Sequence, residues 1–563
     1  MMLRKLMTYS WVLVALSCGA TSRRGAADRE PAVNPGGGAG GDGVGGMGEG
    51  GADGPAAACL AGPALTRLTF REQLASVRAL LGDELADELA ELVEVGDRDS
   101  SFPPLMSPRE GTVITDTVFA TGELVAQRIG RYAREHFEAT LCGAADFDCV
   151  REYVSTLGER AFRRPLSAEE QSALLLPVER AEALSVTAAE ALEYGVYAVF
   201  ASPHFLYRTE FGAVDPDVTG GERSLSGYEL ASTLSFFLTG EPPDEALLDA
   251  ASADALSTEQ QVREQAERLL KEPRSRAHLQ RLLASYFQLS RLPTLVLDSA
   301  LYPGFSATLR KDMQLELEGL LESTLRGGSV GELLTTRGAR INAGLAELYG
   351  VSFPPPGVAL DARGFAEVEL PETRAGLLTR AGWAAMYARP DGPSVVGRAV
   401  ALMSSVYCQP LPPFMDAVDD ESAQLPNPTE RERAEARMRN AACRDCHQQI
   451  DPLGLALEDL DALGRYRTVD EQGRPIDATV ALPEYAGGVT VTGARGLSVA
   501  IPEQVFAGCV SRNLLQYALS SSTRPSPDTC ARDALEQSQD LSIDGLMLHI
   551  ASSRAFRRRS DEP

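Results

Sequence analysis

Residues 440–467 of this 563-residue chain read NAACRDCHQQIDPLGLALEDLDALGRYR. Cys443 and Cys446 are separated by two residues, and His447 follows the second cysteine directly. Three interpretations compete for this spacing: covalent attachment of a haem, a zinc site, or a disulfide beside an ordinary histidine. The cellular compartment and the supply of further ligands along the chain distinguish between them.

The first 18 residues have the pattern of a secretory signal peptide. Arg4 and Lys5 provide a basic start, residues 6–16 form an apolar run too short to span a bilayer, and small residues follow. The end of this segment, VALSC, resembles a bacterial lipobox, which implies cleavage before Cys18 and a lipid on that cysteine. An ordinary signal peptide with an incidental cysteine is the alternative. We expect an exported bacterial lipoprotein of the cell envelope, on the outer membrane or facing the periplasm.

The segment that follows the signal, residues 19–58, is rich in glycine and includes NPGGGAGGDGVGGMGEGGADGPAAA. It has too few apolar side chains to form a core, so we predict a flexible linker behind the lipid anchor. The whole chain has a formal net charge of −26. Because the phosphates of nucleic acids would be repelled by this charge, we expect no nucleic-acid partner.

The cysteine content agrees with export. Of nine cysteines, six remain once Cys18, Cys443 and Cys446 are set aside, and disulfides require an even number. Sequence alone allows fifteen pairings of six cysteines. Proximity along the chain favours two pairs, and elimination gives the third: Cys142–Cys149, Cys509–Cys530 and Cys59–Cys408.

Hydrophobic periodicity and helix start signals predict a mainly α protein with a large multi-helical body. Four Ser or Thr residues are followed three positions later by Glu or Gln, which is the pattern of a capping box. The stretch GVTVTGARGLSVAI, residues 488–501, predicts a small β hairpin near the C-terminus. The predicted capping pairs are Thr69 with Glu72, Ser167 with Glu170, Ser226 with Glu229, and Ser257 with Gln260.

Breaks rich in proline and glycine divide the body into segments. The proline-rich stretch 409–428 separates the 440–467 region from the residues before it. The predicted divisions are an N-terminal helical domain at 59–150, a helical domain at 151–220, a central helical domain at 221–415, a domain carrying the two cysteines at 427–495, and a C-terminal helical domain at 496–563.

Haem is the interpretation that the 440–467 stretch favours. Two thiols at this spacing reach both vinyl groups of a haem, and the histidine after the second thiol meets the iron. Structural zinc needs four ligands, and His136, His204, His278 and His549 stand alone in the sequence. A redox disulfide would be expected beside a βαβ pattern, which the chain lacks. We therefore predict one covalent haem c on Cys443 and Cys446, with His447 as the proximal ligand.

The flanks of the two cysteines add further predictions. Asn427 is expected to be the N-cap of a helix that delivers the cysteines at its C-terminal end. After the histidine, IDPLG is expected to form a turn. Leu453, Leu457 and Leu460 then recur on one helical face that could cover a porphyrin.

Several stretches resemble the planctomycete cytochrome-c-like multidomain family, a set of domains of unknown function of the 1592, 1588, 1585, 1595 and 1587 types. The resemblance covers the chain from about residue 65 to its end, and it implies an exported, mainly helical protein whose residues 427–495 form a cytochrome-c-like haem domain. Besides CRDCHQQIDPLGLALEDLDALGRYR, the matching stretches are LTRLTFREQLASVRALLGD, RAFRRPLSAEEQ, ASPHFLYRTEFG, LSGYELASTLSFFLTGEPPDEALLDAA, INAGLAELYG, RAGLLTRAGWAAM, GPSVVGRAVALMSSVYCQPLPP and IASSRAFRRR.

The sixth iron ligand decides the chemistry of such a haem. Met547 is the methionine downstream of His447 and is a candidate distal ligand, although packing in the core of a terminal helix is the favoured interpretation. The distal position therefore stays open.

We expect electron transfer to an extracytoplasmic redox partner or oxidoreductase. The first alternative is a monohaem peroxidase or oxidase, although the similar dihaem peroxidases need two haems and this chain has one C-x-x-C-H. The second is a surface protein that binds polysaccharide or serves as a scaffold, with a structural haem.

Overall fold

The computed structural model describes residues 60–92, 116–214, 222–410, 425–519 and 540–560. Several predictions fall outside these ranges and are not tested by the structure. They concern the signal peptide 1–18 with Cys18, the linker 19–58, Cys59 and Cys530.

The described part of the chain is mainly helical, as predicted. None of its helices is both long and apolar enough to cross a membrane. The helices are α1 Phe70–Leu81, α2 Asp83–Leu92, α3 Asp116–Glu135, α4 Phe147–Phe162, α5 Ala168–Ala183, α6 Ala188–Ala201, α7 Pro203–Leu206, α8 Gly227–Thr239, α9 Glu245–Ser252, α10 Glu259–Leu270, α11 Pro273–Tyr286, α12 Ala307–Leu325, α13 Glu332–Thr335, α14 Ala343–Tyr349, α15 Ala381–Met386, α16 Val395–Ser405, α17 Glu430–Arg439, α18 Ala441–Leu455, α19 Gly493–Ala500, α20 Glu503–Leu519, α21 Ile543–Ser552 and α22 Arg554–Arg557.

Short antiparallel strands join distant parts of the helical body. In the described residues, four small sheets pair β1 with β2, β3 with β4 and β4 with β9, β5 with β6, and β7 with β8. The strands are β1 Ala64–Arg67, β2 Tyr207–Glu210, β3 Ala213–Val214, β4 Glu222–Ser224, β5 Gly338–Ile341, β6 Ala366–Glu369, β7 Thr479–Ala481, β8 Thr490–Thr492 and β9 Arg558–Ser560.

The helix starts follow the predicted capping chemistry with one displacement. The three boxes that begin at Thr69, Ser167 and Ser226 are confirmed, with reciprocal side-chain and backbone hydrogen bonds. The prediction at Ser257 is wrong by one residue, because Thr258 is the N-cap of α10. Thr258 forms its capping box with Gln261, and the Ser257 hydroxyl donates to the Gln261 carboxamide oxygen, at 3.1 Å.

Two large hydrophobic cores and one small cluster of four buried residues form within the described residues. The first contains buried residues between positions 74 and 205, and the second contains buried residues between 225 and 556. Helix α4 runs across the predicted boundary at 150/151, and its Val150, Val154 and Leu157 all lie in the first core. The second core draws on the predicted segments 221–415, 427–495 and 496–563 together.

We call the part of the chain around the first core the first unit, and the part around the second core the second unit. In each unit, a strand at the start of the unit pairs with a strand at its end. In the first unit the chain leaves β1, forms α1, and returns through α7 into β2, which is antiparallel to β1. In the second unit the chain leaves β4, forms α8, and returns through α22 into β9, which is antiparallel to β4. The register is equivalent, because Arg67 opposes Tyr207 and Ser224 opposes Arg558.

The two returning segments share the pattern Ser-x-x-Phe-x-x-Arg. In both, the serine caps the short helix, the phenylalanine is buried in the core, and the arginine is buried on the closing strand. The repeated local chemistry therefore explains the repeated architecture. The residues are Ser202, Phe205 and Arg208 in the first unit, and Ser553, Phe556 and Arg559 in the second.

The predicted β hairpin near the C-terminus exists, but its bounds differ. Strands β7 and β8 pair at residues 479–492, whereas residues 493–500 form α19 instead of the second strand. Asp459 explains the change, because both of its carboxylate oxygens accept from the Ala494 N–H at 3.1 Å, at the start of α19. A carboxylate in this position stabilises a helix N-terminus.

The structure contains two disulfides among the described cysteines. The predicted Cys142–Cys149 pair is confirmed. The predicted pairs Cys509–Cys530 and Cys59–Cys408 are wrong, because Cys408 is bonded to Cys509 across 101 residues.

Proximity in sequence failed as a guide for this second disulfide because tertiary packing brings its two ends together. Cys408 follows α16, and Cys509 lies on α20, with 5.2 Å between their Cα atoms. The cost of closing a loop rises only slowly with its length, so a distant pairing carries little penalty.

Removing the two disulfides should have unequal effects on stability. The chain-entropy relation gives about 4.7 kcal/mol for a loop of 101 residues and roughly 2 kcal/mol for one of seven residues. We therefore expect Cys408→Ala with Cys509→Ala to lower the free energy of unfolding more than Cys142→Ala with Cys149→Ala, as measured by urea denaturation. Equal losses in the two double variants would contradict this ranking.

Candidate functional site

The candidate site begins at a corner between two helices. A capping box between Thr429 and Glu432 starts α17, so the predicted N-cap at Asn427 is wrong. Asn427 has a left-handed backbone, with φ of +52°, and therefore lies in the turn before the helix. At the other end, Asn440 terminates α17 and also caps α18, because its side chain accepts from the Ala442 N–H at 3.0 Å.

The corner places the two cysteines and the histidine in the first turns of α18. Cys443, Cys446 and His447 have i, i+3 and i+4 spacing, which brings the three side chains to one face of a helix. All three side chains are half-buried, while Arg444, between the cysteines, is exposed. Neither cysteine forms a disulfide in this structure.

His447 is oriented by a buried carboxylate one turn further along α18. The His447 Nδ1 atom lies 2.9 Å from Asp451 Oδ1. The other carboxylate oxygen, Asp451 Oδ2, accepts from Arg437 Nε at 3.0 Å. Asp451 is only 3% exposed and Arg437 only 8%. With Nδ1 committed to the carboxylate, Nε2 is the ring nitrogen left for a metal.

The residues after His447 differ from the prediction. Helix α18 continues through Asp451 and Pro452 to Leu455, so the expected turn at IDPLG is wrong. Leu457 and Leu460 lie beyond the end of the helix and do not share a helical face with Leu453. All three leucines are fully buried in the second core.

Close backbone packing fixes the position of α18 against α16. A Cβ added at Gly454 would collide with the Val395 carbonyl oxygen, so a side chain does not fit at this position. Arg398, also on α16, donates to the carbonyl oxygens of Leu457 at 3.0 Å and Leu460 at 2.6 Å. The helix that carries the cysteines is therefore held by the core of the second unit.

The other candidate ligands lie on other elements. Met547 is fully buried in the second core on α21, a helix that packs against α10, α20 and α12. His549 is on the same helix, and burial lowers its pKa. His204 contacts Glu170 at 3.1 Å. His204 is therefore on α7, and Met547 and His549 are on α21, whereas the two cysteines and His447 are on α18. The described residues contain no group of three or more His, Cys, Asp or Glu side chains arranged to hold a metal ion.

Three family models match the chain, each described as a protein of unknown function. PSD5 (DUF1595) matches residues 149–210, PSD4 (DUF1592) matches residues 225–351, and PSCyt3 (DUF1588) matches residues 374–470. No curated protein and no solved structure matches the chain.

The chain belongs to the planctomycete cytochrome-c-like multidomain family. Three of the five predicted domain types are confirmed by these matches, and the 1585 and 1587 types stay predictions. The PSCyt3 match contains both cysteines, His447 and Asp451. The PSCyt3 match begins at Arg374, includes the buried helix α16 and the candidate site, and ends at residue 470.

Sequence reasoning missed Asp451 and Arg437. Asp451 stands four residues after His447 in the sequence, which is the spacing of side chains that meet on a helix. The expectation of a turn at IDPLG concealed this signal. Arg437 could not be found in the same way, because its contact with Asp451 depends on the angle between α17 and α18.

Two further carboxylates lie just beyond α18: Glu458, which is buried, and Asp459, which is half-buried. Burial raises the pKa of Glu458 to about 7 and the pKa of Asp459 to about 6. Arg467 lowers the pKa of Glu458 in turn, but burial dominates. At neutral pH a large fraction of Glu458 is therefore protonated.

The raised pKa of Glu458 predicts a loss of stability as the pH rises. The folded state binds more protons than the unfolded state between about pH 4.5 and pH 7, so the stability that Glu458 contributes is complete below this range and lost through it. We expect Glu458→Gln to make the free energy of unfolding less dependent on pH across that range, as measured by urea titrations. Glu435→Gln, at an exposed position of α17, is the control. An unchanged pH dependence in Glu458→Gln would contradict the assignment.

Proposed function

We propose that this protein is an exported, lipid-anchored monohaem c-type cytochrome-like protein that acts in extracytoplasmic electron transfer. One observation carries the proposal. Cys443, Cys446 and His447 share a half-buried face of α18, and His447 is held through Nδ1 by the buried Asp451. In this proposal residues 427–495 are the haem domain.

The donor set fits a covalently bound haem. Thioether formation consumes two unpaired thiols, and Cys443 and Cys446 are the free cysteines among the described residues. The proximal ligand of a c-type haem is a neutral imidazole nitrogen, and the hydrogen bond to Asp451 leaves Nε2 for that role. Arg437 Nη2 is buried with no hydrogen-bond partner among the described residues, and an acidic group such as a haem propionate would satisfy it.

Each residue of the site has a defined task in this proposal. When bound, a haem supplies reversible one-electron transfer. Cys443 and Cys446 would hold it covalently, and His447 would ligate its iron. Asp451 keeps the imidazole in one tautomer and orientation, while Arg398 fixes the backbone that follows α18. A ligand set held in one geometry limits rearrangement between oxidation states, which suits an electron carrier.

The first test is covalent haem attachment. We expect the protein, expressed with c-type maturation machinery, to show the pyridine haemochrome spectrum of one haem c and a mass increase of one haem. Cys443→Ala with Cys446→Ala should lose both signals. Cys142→Ala with Cys149→Ala, which removes a confirmed disulfide beside the first core, is the matched control and should keep them. A wild-type protein without covalent haem would refute the proposal.

A monohaem enzyme that acts on peroxide or an organic substrate is the second candidate. The observation in its favour is the placement of Met547, whose side chain lies in the core on a helix that packs against α10, α12 and α20. This placement favours an open distal position, which permits ligand binding at iron. Carbon monoxide separates the two candidates: an unchanged spectrum of the reduced haem supports the electron carrier, and a shifted spectrum supports the enzyme.

In the proposed function, a lipid on Cys18 anchors the protein to a membrane. The lipobox-like end of the signal peptide supports this part of the proposal, and the glycine-rich segment 19–58 would separate the anchor from the helical body. An anchored carrier would meet a redox partner or oxidoreductase outside the cytoplasm.

Lipidation at Cys18 predicts that the protein partitions with membranes. In a bacterial host with lipoprotein maturation, we expect metabolic labelling by palmitate and recovery in the detergent phase. Cys18→Ser should abolish both, because it removes the thiol that receives the lipid. Labelling that persists in Cys18→Ser would show that the lipid is elsewhere, and an unlabelled wild-type protein would refute the anchor.

A further inference from the structure

Asp451 occupies an unusual position beside His447. Its carboxylate is almost fully buried, and its two oxygens are used by different partners: Oδ1 by His447 at 2.9 Å and Oδ2 by Arg437 at 3.0 Å. A buried charge that loses water must be compensated by hydrogen bonds and an opposite charge. The burial of Asp451 therefore depends on both of its neighbours.

We propose that Asp451, held by Arg437, is a positioning residue that gives His447 partial imidazolate character and thereby lowers the reduction potential of the haem. The proposal rests on the proposed haem function and deepens it. Asp451 does not touch the iron in this account, since it acts through the Nδ1–H of the ligating histidine. The haem would then serve its partner as an electron donor of low potential.

The physical reason lies in the charge of the ligand. A carboxylate that accepts the second N–H of a metal-bound histidine raises the basicity of that ligand. A more basic ligand stabilises the ferric state more than the ferrous state, because the ferric iron has the larger positive charge. The reduction potential of a haem responds to such hydrogen bonds around its axial ligands.

The helix corner makes this arrangement rigid. His447 and Asp451 are one turn apart on α18, whereas Arg437 reaches Asp451 from α17. Asn440 fixes the angle between the two helices by capping the second one. Arg444 adds a hydrogen bond from Nε to the Met438 carbonyl oxygen at 2.8 Å, across the same corner. The Asp451 carboxylate is thus preorganised with respect to the imidazole.

The first arm of the test measures the midpoint potential of the full-length holoprotein by spectroelectrochemistry. We expect Asp451→Asn to raise the potential by at least about 59 mV, which is a tenfold change in the equilibrium constant of a one-electron couple. The double variant Asp451→Asn with Arg437→Gln also removes the arginine charge that would otherwise be buried unpaired, and it should show a potential raised in the same direction. Asp470→Asn is the matched control, because Asp470 pairs with Arg474 in a nearby loop, and its potential should equal that of the wild type.

The second arm needs no haem. In the Cys443→Ser, Cys446→Ser protein, the ¹⁵N chemical shifts of the His447 ring should report the Nδ1–H tautomer, and Asp451→Asn in that background should change the tautomer ratio. An Nε2–H tautomer before the Asp451 change would overturn the proposal. A covalent haem whose potential is unchanged by Asp451→Asn would overturn the inference while leaving the proposed function intact. A wild-type protein without covalent haem would refute both, so the two failures are distinguishable.

Discussion

Buried arginines that donate to backbone carbonyl groups are the interaction on which this fold depends. Arg163, Arg374, Arg380, Arg398 and Arg559 are each at most 4% exposed. A buried guanidinium is costly unless its N–H groups are satisfied, and in these five cases main-chain oxygens from turns or helix ends satisfy many of them. Each arginine thereby ties its own side chain to the backbone of a neighbouring turn, helix end or strand.

The same interaction explains both the closure of the first unit and the position of the candidate site. Arg163 donates to the His204 and Tyr207 carbonyl oxygens, at 2.9 and 2.8 Å, and so holds the junction at which α7 passes directly into β2. Burial lowers its pKa to about 9. Arg398 performs the equivalent task beyond α18, where its bonds to Leu457 and Leu460 hold the chain that follows the histidine.

The sequence predicted what local chemistry determines and missed what the packing of distant segments determines. The mainly α class and three of the four capping boxes followed from side chains three residues apart, which contact each other in any helix start. The face shared by Cys443, Cys446 and His447 was not predicted, because the cysteines were expected at the C-terminal end of α17, whereas they lie in the first turns of α18. The Cys408–Cys509 pairing and the contact between Arg437 and Asp451 could not be predicted, because each depends on the angle at which two helices meet.

The Cys408–Cys509 disulfide encloses the segment that carries the candidate site. The disulfide closes a loop of 101 residues, and this loop contains the whole segment 427–495 that carries the candidate site. Cys509 is almost fully buried at the base of the loop, where Asn513 donates to the Cys408 sulfur at 3.2 Å. Cys443 and Cys446 lie on the continuous helix α18 within this loop and form no disulfide with each other. The disulfide that closes the loop therefore leaves the thiols of the candidate site unused.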